Sequence, residues 1–202
     1  VRIRELKPVF ATVSGYTLHM PESVALLVWT VGGIGANPPF ERINRALRSA
    51  SAVDDREIAA TVKTLSSAVN KLRGTPCRAV RGVRNLPSTY FALQPGEIFK
   101  DNGFVAFGLG ESPPAPFNTY PIWIRVNSSN CKVIAQFSKF GHEKEVLFSP
   151  GTDFVVVRNG ASGGSGVIEL SHTGAPPQPH NNANEDNGSI PDDGGNGGVV
   201  NP

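Results

Sequence analysis

At 202 residues, the chain is long enough to form one domain with a buried hydrophobic core. Its 19 basic and 17 acidic residues nearly balance, so its charge gives no support to nucleic acid or a membrane surface as the partner. No apolar run approaches the roughly 18 residues that a membrane-spanning helix needs.

The N-terminal third has the pattern of three helices. The first opens at Pro21 and stops at the glycine pair 32–33, and the second covers 40–48. The third begins at Asp54 or Asp55 and ends before a Gly-Thr-Pro turn. Its apolar residues recur at intervals of four and three, which is the pattern of a helix packed on a core. They are Ile58, Val62, Leu65, Val69 and Leu72.

After the third helix the pattern changes to short apolar runs separated by turns rich in Gly, Pro and Asn. This change from helices to strands predicts an α+β fold rather than alternating α/β. Cys77 and Cys131 are interpreted as buried thiols in or near strands, since they lack metal-ligand spacing and one possible disulfide is not a framework. The predicted strands are 77–83, 97–107, 121–126, 131–138, 144–149, 153–158 and 166–171.

The chain divides into three parts by composition. We predict an N-terminal extension over 1–19, one folded domain over 20–171 and a disordered tail over 172–202. The tail is rich in Gly, Asn, Asp and Pro and holds too few apolar side chains to offset its ordering entropy. The chain begins with Val1, so we interpret it as a fragment from which an upstream targeting segment could be missing.

The sequence Glu143-Lys-Glu145-Val-Leu-Phe-Ser-Pro-Gly-Thr is the strongest candidate for chemistry. Residues i and i+2 of a strand point to the same side, so both carboxylates are expected to face one cleft. Two close carboxylates repel each other, and a cation or a developing positive charge between them relieves this repulsion. The alternative is a solvated charge pair that protects a sheet edge.

Three segments now occur in a meaningful order. The helix over 40–48 contains Ile43-Asn-x-x-Leu-Arg, and the first strand ends in Val80-Arg-Gly-Val. Gly103-Phe104 then precedes the segment that begins at Glu143, called the Glu143 block below. In this order they resemble the mono-ADP-ribosyltransferases of the Arg–Ser–Glu class, which include bacterial toxins, type III effectors and vertebrate ecto-enzymes. The resemblance covers roughly residues 20–171 and includes the XopAI-like effectors of plant-pathogenic Xanthomonas.

The resemblance implies a split β-sandwich with N-terminal helices, and NAD as a substrate with no metal. Arg81, followed by Gly82, would bind the NAD phosphates and ribose, with Arg78 and Arg84 as alternatives if the register differs. A guanidinium suits this role because it binds phosphate bidentately. Phe104 and Ala106 would line the NAD pocket.

The same resemblance assigns the two glutamates different roles. Glu145 would stabilise the oxocarbenium ion as nicotinamide leaves. Glu143 would orient and deprotonate the acceptor, and a carboxylate there is linked with arginine as the target. The implied activity is mono-ADP-ribosylation of arginine on a host protein by a secreted bacterial effector that acts as a monomer in the host cell.

One position departs from the family pattern. The serine expected after Gly-Phe is Ala106, so a hydrogen bond worth about 1 kcal/mol is missing near the catalytic glutamate. Ser112 and Ser138 are candidates to replace it. The alanine favours one alternative function, a degenerate fold that binds a partner. An NAD glycohydrolase, in which water replaces the acceptor, is a further alternative.

Overall fold

The computed structural model describes residues 18–31, 39–49 and 55–173. Three helices come first, as the sequence pattern predicts. The third begins where the Asp55 carboxylate accepts hydrogen bonds from the amides of Glu57 and Ile58. None of the described helices is long and apolar enough to cross a bilayer. Their bounds are α1 Met20–Thr30, α2 Pro39–Arg48 and α3 Arg56–Lys71.

Seven strands follow and form one hydrogen-bonded sheet in the order β2-β6-β7-β4-β1-β3-β5. All neighbouring strands are antiparallel except β4 and β7, which are parallel. A short helix, α4 Ser88–Phe91, joins β1 to β2. The strands are β1 Gly74–Val83, β2 Ile98–Lys100, β3 Val105–Leu109, β4 Ile122–Lys132, β5 Glu145–Phe148, β6 Asp153–Asn159 and β7 Gly166–His172.

The sheet folds over on itself, so that its two ends share one core. Strands β5 and β6 are far apart in the strand order, yet the rings of Phe148 and Phe154 are only 5.1 Å apart. Phe107 on β3 also lies within 6.2 Å of Phe154. The buried apolar side chains of all seven strands therefore meet between the two halves. The predicted α+β class, a split β-sandwich with N-terminal helices, is confirmed, and the two halves of the sandwich belong to one continuous sheet.

The helices cover the outer face of β3 and β5. Leu26 and Leu65 are fully buried there against Phe104 and Leu147. Asn44 on α2 fixes the start of β3, because its side chain donates to the Phe104 carbonyl at 3.0 Å and accepts from the Phe104 amide at 2.8 Å. This packing places α1 and α2 beside the end of the sheet that carries β5.

Helix α1 is tied to α3 by a buried carboxylate. Glu22 accepts hydrogen bonds from Ser67 at 2.6 Å and from Lys71 at 3.0 Å, and its Oε2 also accepts from the His19 amide. Burial alone would raise the pKa of Glu22, but these hydrogen bonds lower it to about 2. The ionised carboxylate thus holds α1 in place.

Two of the predicted strands are wrong in detail. The segment 131–138 is not one strand, because β4 continues to Lys132 and a 3-10 turn, Ala135–Phe137, follows. The segment 97–107 is two strands, β2 and β3, which pair with different neighbours. The extension and the tail lie almost entirely outside the described residues, so those boundaries stay predictions.

The interpretation of the two cysteines as buried thiols in or near strands is right about the strands and wrong about the thiols. Cys77 and Cys131 form a disulfide that links β1 to β4. These strands are neighbours, with Thr75 opposite Cys131 and Cys77 opposite Ser128 on either side of a bulge. Pairing that joins residues 54 apart in sequence depends on the sheet register, which cysteine spacing does not reveal.

Candidate active site

A cleft of about 390 Å³ opens between the helices and the β1-β3-β5 end of the sheet. Helix α1 contributes Trp29, and α2 contributes Arg48. Strand β1 contributes Arg81, and the turn and strand at the end of the sheet contribute Glu143 and Glu145. The two glutamates and the arginine, separated by some 60 residues in sequence, therefore face the same cavity.

The two glutamates reach this cleft by a route that differs from the strand argument. Only Glu145 belongs to a strand, because Glu143 ends the 3-10 turn Gly141–Glu143. Between them, Lys144 adopts a left-handed conformation with φ of 48°. The expectation that both side chains project from one strand is wrong, and the turn brings them to a common cleft instead.

Glu145 sits in an environment that favours its protonated form. Burial raises its pKa to about 7, and the charge of Glu143 acts in the same direction. A hydrogen bond from the Trp29 indole, with Nε1 3.4 Å from Oε1, and the charge of Arg81 oppose this rise. A carboxyl group with a pKa near neutrality in a cleft is typical of a functional site.

Arg81 lies above an aromatic ring with its donors available. Its guanidinium carbon is 5.9 Å from the centre of the Phe107 ring. Burial lowers its pKa, and the charges of Asp101 and Glu145 act against that effect. Within the described residues, no side chain pairs with this guanidinium, so it can donate to an anion that enters the cleft.

The neighbouring arginines are used differently. Arg48 also lines the cleft, but both its Nε and its Nη2 donate to the Asp101 carboxylate at 2.8 Å. Arg78 is exposed and lies 3.6 Å from Glu111, and Arg84 stacks 4.7 Å from the Tyr120 ring. Neither Arg78 nor Arg84 lines the cleft, which favours Arg81 among the three candidate arginines.

The other expected pocket residues also line the cleft, with different degrees of exposure. Gly82 allows the Phe117 carbonyl to approach, because a Cβ at this position would overlap that oxygen. Phe104 is buried under Trp29, with ring centres 5.3 Å apart. Ala106 is half-buried at the cleft wall.

Neither candidate serine occupies the position of the missing hydroxyl. Ser112 is exposed and does not line the cleft, and the Ser138 hydroxyl accepts a hydrogen bond from the Phe140 amide at 2.9 Å. The donor to Glu145 is Trp29, which sequence reasoning missed. Its signal was weak, since a tryptophan in an apolar helix is most simply a core residue.

Metal chemistry has no evident site in the described part of the chain. No group of three or more His, Cys, Asp or Glu side chains is arranged there to hold a metal ion. The cleft is instead lined by the Arg81 guanidinium and the Glu143 and Glu145 carboxylates, together with Glu41 and with Arg48, which is paired with Asp101. This combination suits a substrate that carries phosphates at one end and develops positive charge at the other.

Comparison with known proteins shows which family the sequence and the fold resemble. The sequence matches the family model for NAD:arginine ADP-ribosyltransferase over residues 3–176. A search of curated protein sequences finds no match. Among solved structures, the type III effector XopAI from Xanthomonas axonopodis pv. citri is 26% identical with a TM-score of 0.56, over 74% of this chain and 65% of that chain.

Two further structures share the fold. ADP-ribosyltransferase HopU1 of Pseudomonas syringae pv. Tomato DC3000 has a TM-score of 0.62 at 20% identity, over 74% of this chain and 75% of that chain. The Vis toxin of Vibrio splendidus has a TM-score of 0.63 at 21% identity, over 80% of this chain and 79% of that chain. Because the family model spans most of the sequence, this chain belongs to the NAD:arginine ADP-ribosyltransferase family, whose enzymes use NAD as a substrate.

Proposed function

We propose that this protein transfers ADP-ribose from NAD to an arginine of a host protein and releases nicotinamide. The observation that carries the proposal is the convergence of Arg81, Glu143 and Glu145 on one cleft. The effector and toxin relatives support a secreted bacterial protein that acts in a host cell, and we propose that it acts there as a monomer.

In this proposal, Arg81 binds the NAD phosphates. Its guanidinium carries five donors, and within the described residues no carboxylate forms a hydrogen bond with them. Because Gly82 has no side chain, the turn at Phe117 can pack against β1 beside the bound phosphates. Phe104 and Ala106 form the apolar floor on the side of the ribose.

Glu145 acts on the glycosidic bond. As the bond between the ribose C1 and the nicotinamide nitrogen breaks, its electron pair leaves with nicotinamide and positive charge develops on the ribose. The ionised Glu145 carboxylate stabilises that charge from a partly dry site, where electrostatic interactions are strong. In the cleft without substrate, the pKa of Glu145 is raised, so its ionised form is poorly stabilised. A neighbouring positive charge in the transition state therefore stabilises this carboxylate more strongly.

Glu143 acts on the acceptor. A guanidinium nitrogen forms the new bond to the ribose C1, and the proton that it loses passes to the Glu143 carboxylate. This residue is half-buried at the cleft mouth, within reach of a side chain from another protein. Vis has been crystallised with agmatine, which carries the guanidinium group of arginine, and this supports the same acceptor class here.

The host partner is a protein of unassigned identity. Exoenzyme S from Pseudomonas aeruginosa, a relative at 20% identity, has been crystallised with human 14-3-3 protein beta and carba-NAD. That complex supports an effector that engages a folded host protein. Labelling identifies the partner of this chain.

The test measures three products from one incubation with NAD and agmatine: free nicotinamide, ADP-ribosylagmatine and free ADP-ribose. We expect nicotinamide and ADP-ribosylagmatine in equal amounts, and we expect Glu145→Gln to lower both by about a hundredfold or more. Nicotinamide with ADP-ribose alone would identify a glycohydrolase. No nicotinamide and no NAD binding by calorimetry would identify a partner-binding domain, which the alanine at position 106 favours.

A further inference from the structure

Trp29 makes a contact that core packing alone does not explain. Its indole is 4% exposed and lies between two rings, 6.0 Å from Phe40 and 5.3 Å from Phe104. From this fixed position its Nε1 points to the Glu145 carboxylate, 3.4 Å from Oε1. A buried indole N–H needs an acceptor, and here that acceptor is the glutamate in the cleft.

The strand register explains why an indole fills this place. Ala106 lies opposite Leu147 and Gly108 lies opposite Glu145, so the alanine is the diagonal neighbour of the glutamate on the same face. Diagonal neighbours are about 7 Å apart, which a hydroxyl and a glutamate side chain together can bridge. The methyl group of Ala106 has no donor, and Gly108 has no side chain.

We propose that Trp29 is the positioning residue that holds the Glu145 carboxylate in the cleft, in place of a hydroxyl from β3. Among the described residues, Trp29 supplies the side-chain hydrogen bond to this carboxylate. This proposal rests on the function proposed above, in which Glu145 acts on NAD. Trp29 has its effect through Glu145 and not through NAD.

Helix α1 is built to hold this donor still. The Glu22 carboxylate joins the first turn of α1 to Ser67 and Lys71 of α3, at 2.6 Å and 3.0 Å. At the other end, Thr30 accepts a hydrogen bond from the Lys139 amide at 3.2 Å, which ties α1 to the segment that leads to Glu143. The indole thus approaches Glu145 from a helix anchored at both ends.

A donor at this point has two consequences for Glu145. It favours the ionised form, and it therefore works against the burial that raises the pKa of this group. It also fixes the direction of the carboxylate, which a β5 residue at the edge of the sheet would otherwise be free to change. Both effects are lost when the indole nitrogen is removed.

The test uses Trp29→Phe, which keeps an aromatic ring in the slot and removes the donor. The first readout is the pKa of the Glu145 side chain, followed by NMR of the ¹³C-labelled carboxyl group in the full chain. We expect this pKa to rise by about half to one unit, in keeping with the loss of one hydrogen bond. Trp123→Phe is the matched control, because that indole donates to the Tyr120 carbonyl and not to Glu145.

The second readout is rescue. Nicotinamide release at pH 7 should fall about tenfold in Trp29→Phe and recover to within about threefold of wild type in Trp29→Phe/Ala106→Ser. In the wild-type background, Ala106→Ser should raise the rate by less than about twofold, because the indole already supplies the donor. This single variant keeps the proposal testable if Trp29→Phe does not fold.

Two results would overturn the proposal. One is a Glu145 pKa that does not move in folded Trp29→Phe, and the other is a gain of tenfold or more from Ala106→Ser alone. The NMR readout needs no turnover, so a wild type that binds no NAD would remove the proposed function and still leave the Trp29 contact measurable.

Discussion

Glu143 and Glu145 face one cleft although they belong to different elements, a 3-10 turn and the first position of β5. The left-handed Lys144 between them produces the change of direction. Glu145 is therefore held by the sheet, whereas Glu143 follows the turn at the cleft mouth. The proposed division of roles, with one carboxylate for the ribose and the other for the acceptor, agrees with this difference.

The pH dependence of nicotinamide release should report the ionisation of Glu145. Its pKa of about 7 means that the active, ionised form is scarce in acid. We expect kcat/KM for NAD to rise about tenfold per pH unit below pH 7 and to level above it, since this parameter reports the free enzyme. Steady-state assays from pH 5 to 9 measure it, and a flat profile would contradict the assignment.

Glu145→Gln should separate activity from stability. We expect nicotinamide release to fall by about a hundredfold or more, the range for loss of an electrostatic stabiliser. The folded protein binds more protons than the unfolded chain between about pH 4.5 and 7, so the contribution of Glu145 to stability falls as pH rises through that window. At pH 8, the variant should be more stable than wild type by about 1–3 kcal/mol in urea.

Glu143→Gln should affect the acceptor more than NAD. We expect ADP-ribosylagmatine to fall more than tenfold while nicotinamide release stays within about threefold, because the lost base acts on the guanidinium. The charge of Glu143 also raises the pKa of Glu145, so the pH profile of nicotinamide release should shift to lower pH in this variant. Equal loss of both products would refute the division of roles.

Gly82→Ala should disturb the Phe117 turn. The added Cβ would overlap the Phe117 carbonyl, so the turn Phe117–Thr119 must move. We expect KM for NAD to rise several-fold, with a loss of about 1–3 kcal/mol of stability. Gly160→Ala is the control, since its Cβ would meet its nearest neighbour at an ordinary 3.4 Å. Unchanged NAD kinetics in folded Gly82→Ala would argue against this wall as part of the site.

Glu22→Gln should weaken the fold by about 2 kcal/mol at pH 7, because it removes a charged, buried hydrogen-bond acceptor. The folded pKa of Glu22 lies near 2, below its ordinary 4.5, so its contribution is present above pH 4.5 and is lost as pH falls toward 2. Urea unfolding of wild type and variant at pH 7 and at about pH 2 measures this difference in stability. The control is Glu57→Gln, at an exposed glutamate whose ion pair with Arg42 spans 3.6 Å. This variant should lose less than about 0.5 kcal/mol of stability.

Reduction should weaken the fold through the Cys77–Cys131 bond. This bond closes a loop of 54 residues, for which loop-closure entropy gives about 4 kcal/mol. We expect a reductant to lower the unfolding midpoint of wild type and to leave Cys77→Ser/Cys131→Ser unchanged. If wild type proved indifferent to the reductant, the disulfide would contribute little to stability.

The sequence by itself determined the order of elements, because helix and strand signals are local. Heptad-like spacing from Ile58 to Leu72, the Asp55 cap and the short strands after residue 74 are all read within a few residues. The ordered segments around Arg81 and the Glu143 block likewise indicated the family. Each of these signals depends on neighbours in the chain and survives without knowledge of the fold.

Only the tertiary structure decided how distant residues meet. The Cys77–Cys131 bond follows from the β1–β4 register, and the Trp29–Glu145 contact joins residues 116 apart in sequence. The common cleft of Glu143 and Glu145 depends on the left-handed conformation of Lys144. A lysine in the sequence does not predict this conformation. Such contacts arise from packing and pairing across the chain, and a pattern confined to one segment contains no record of them.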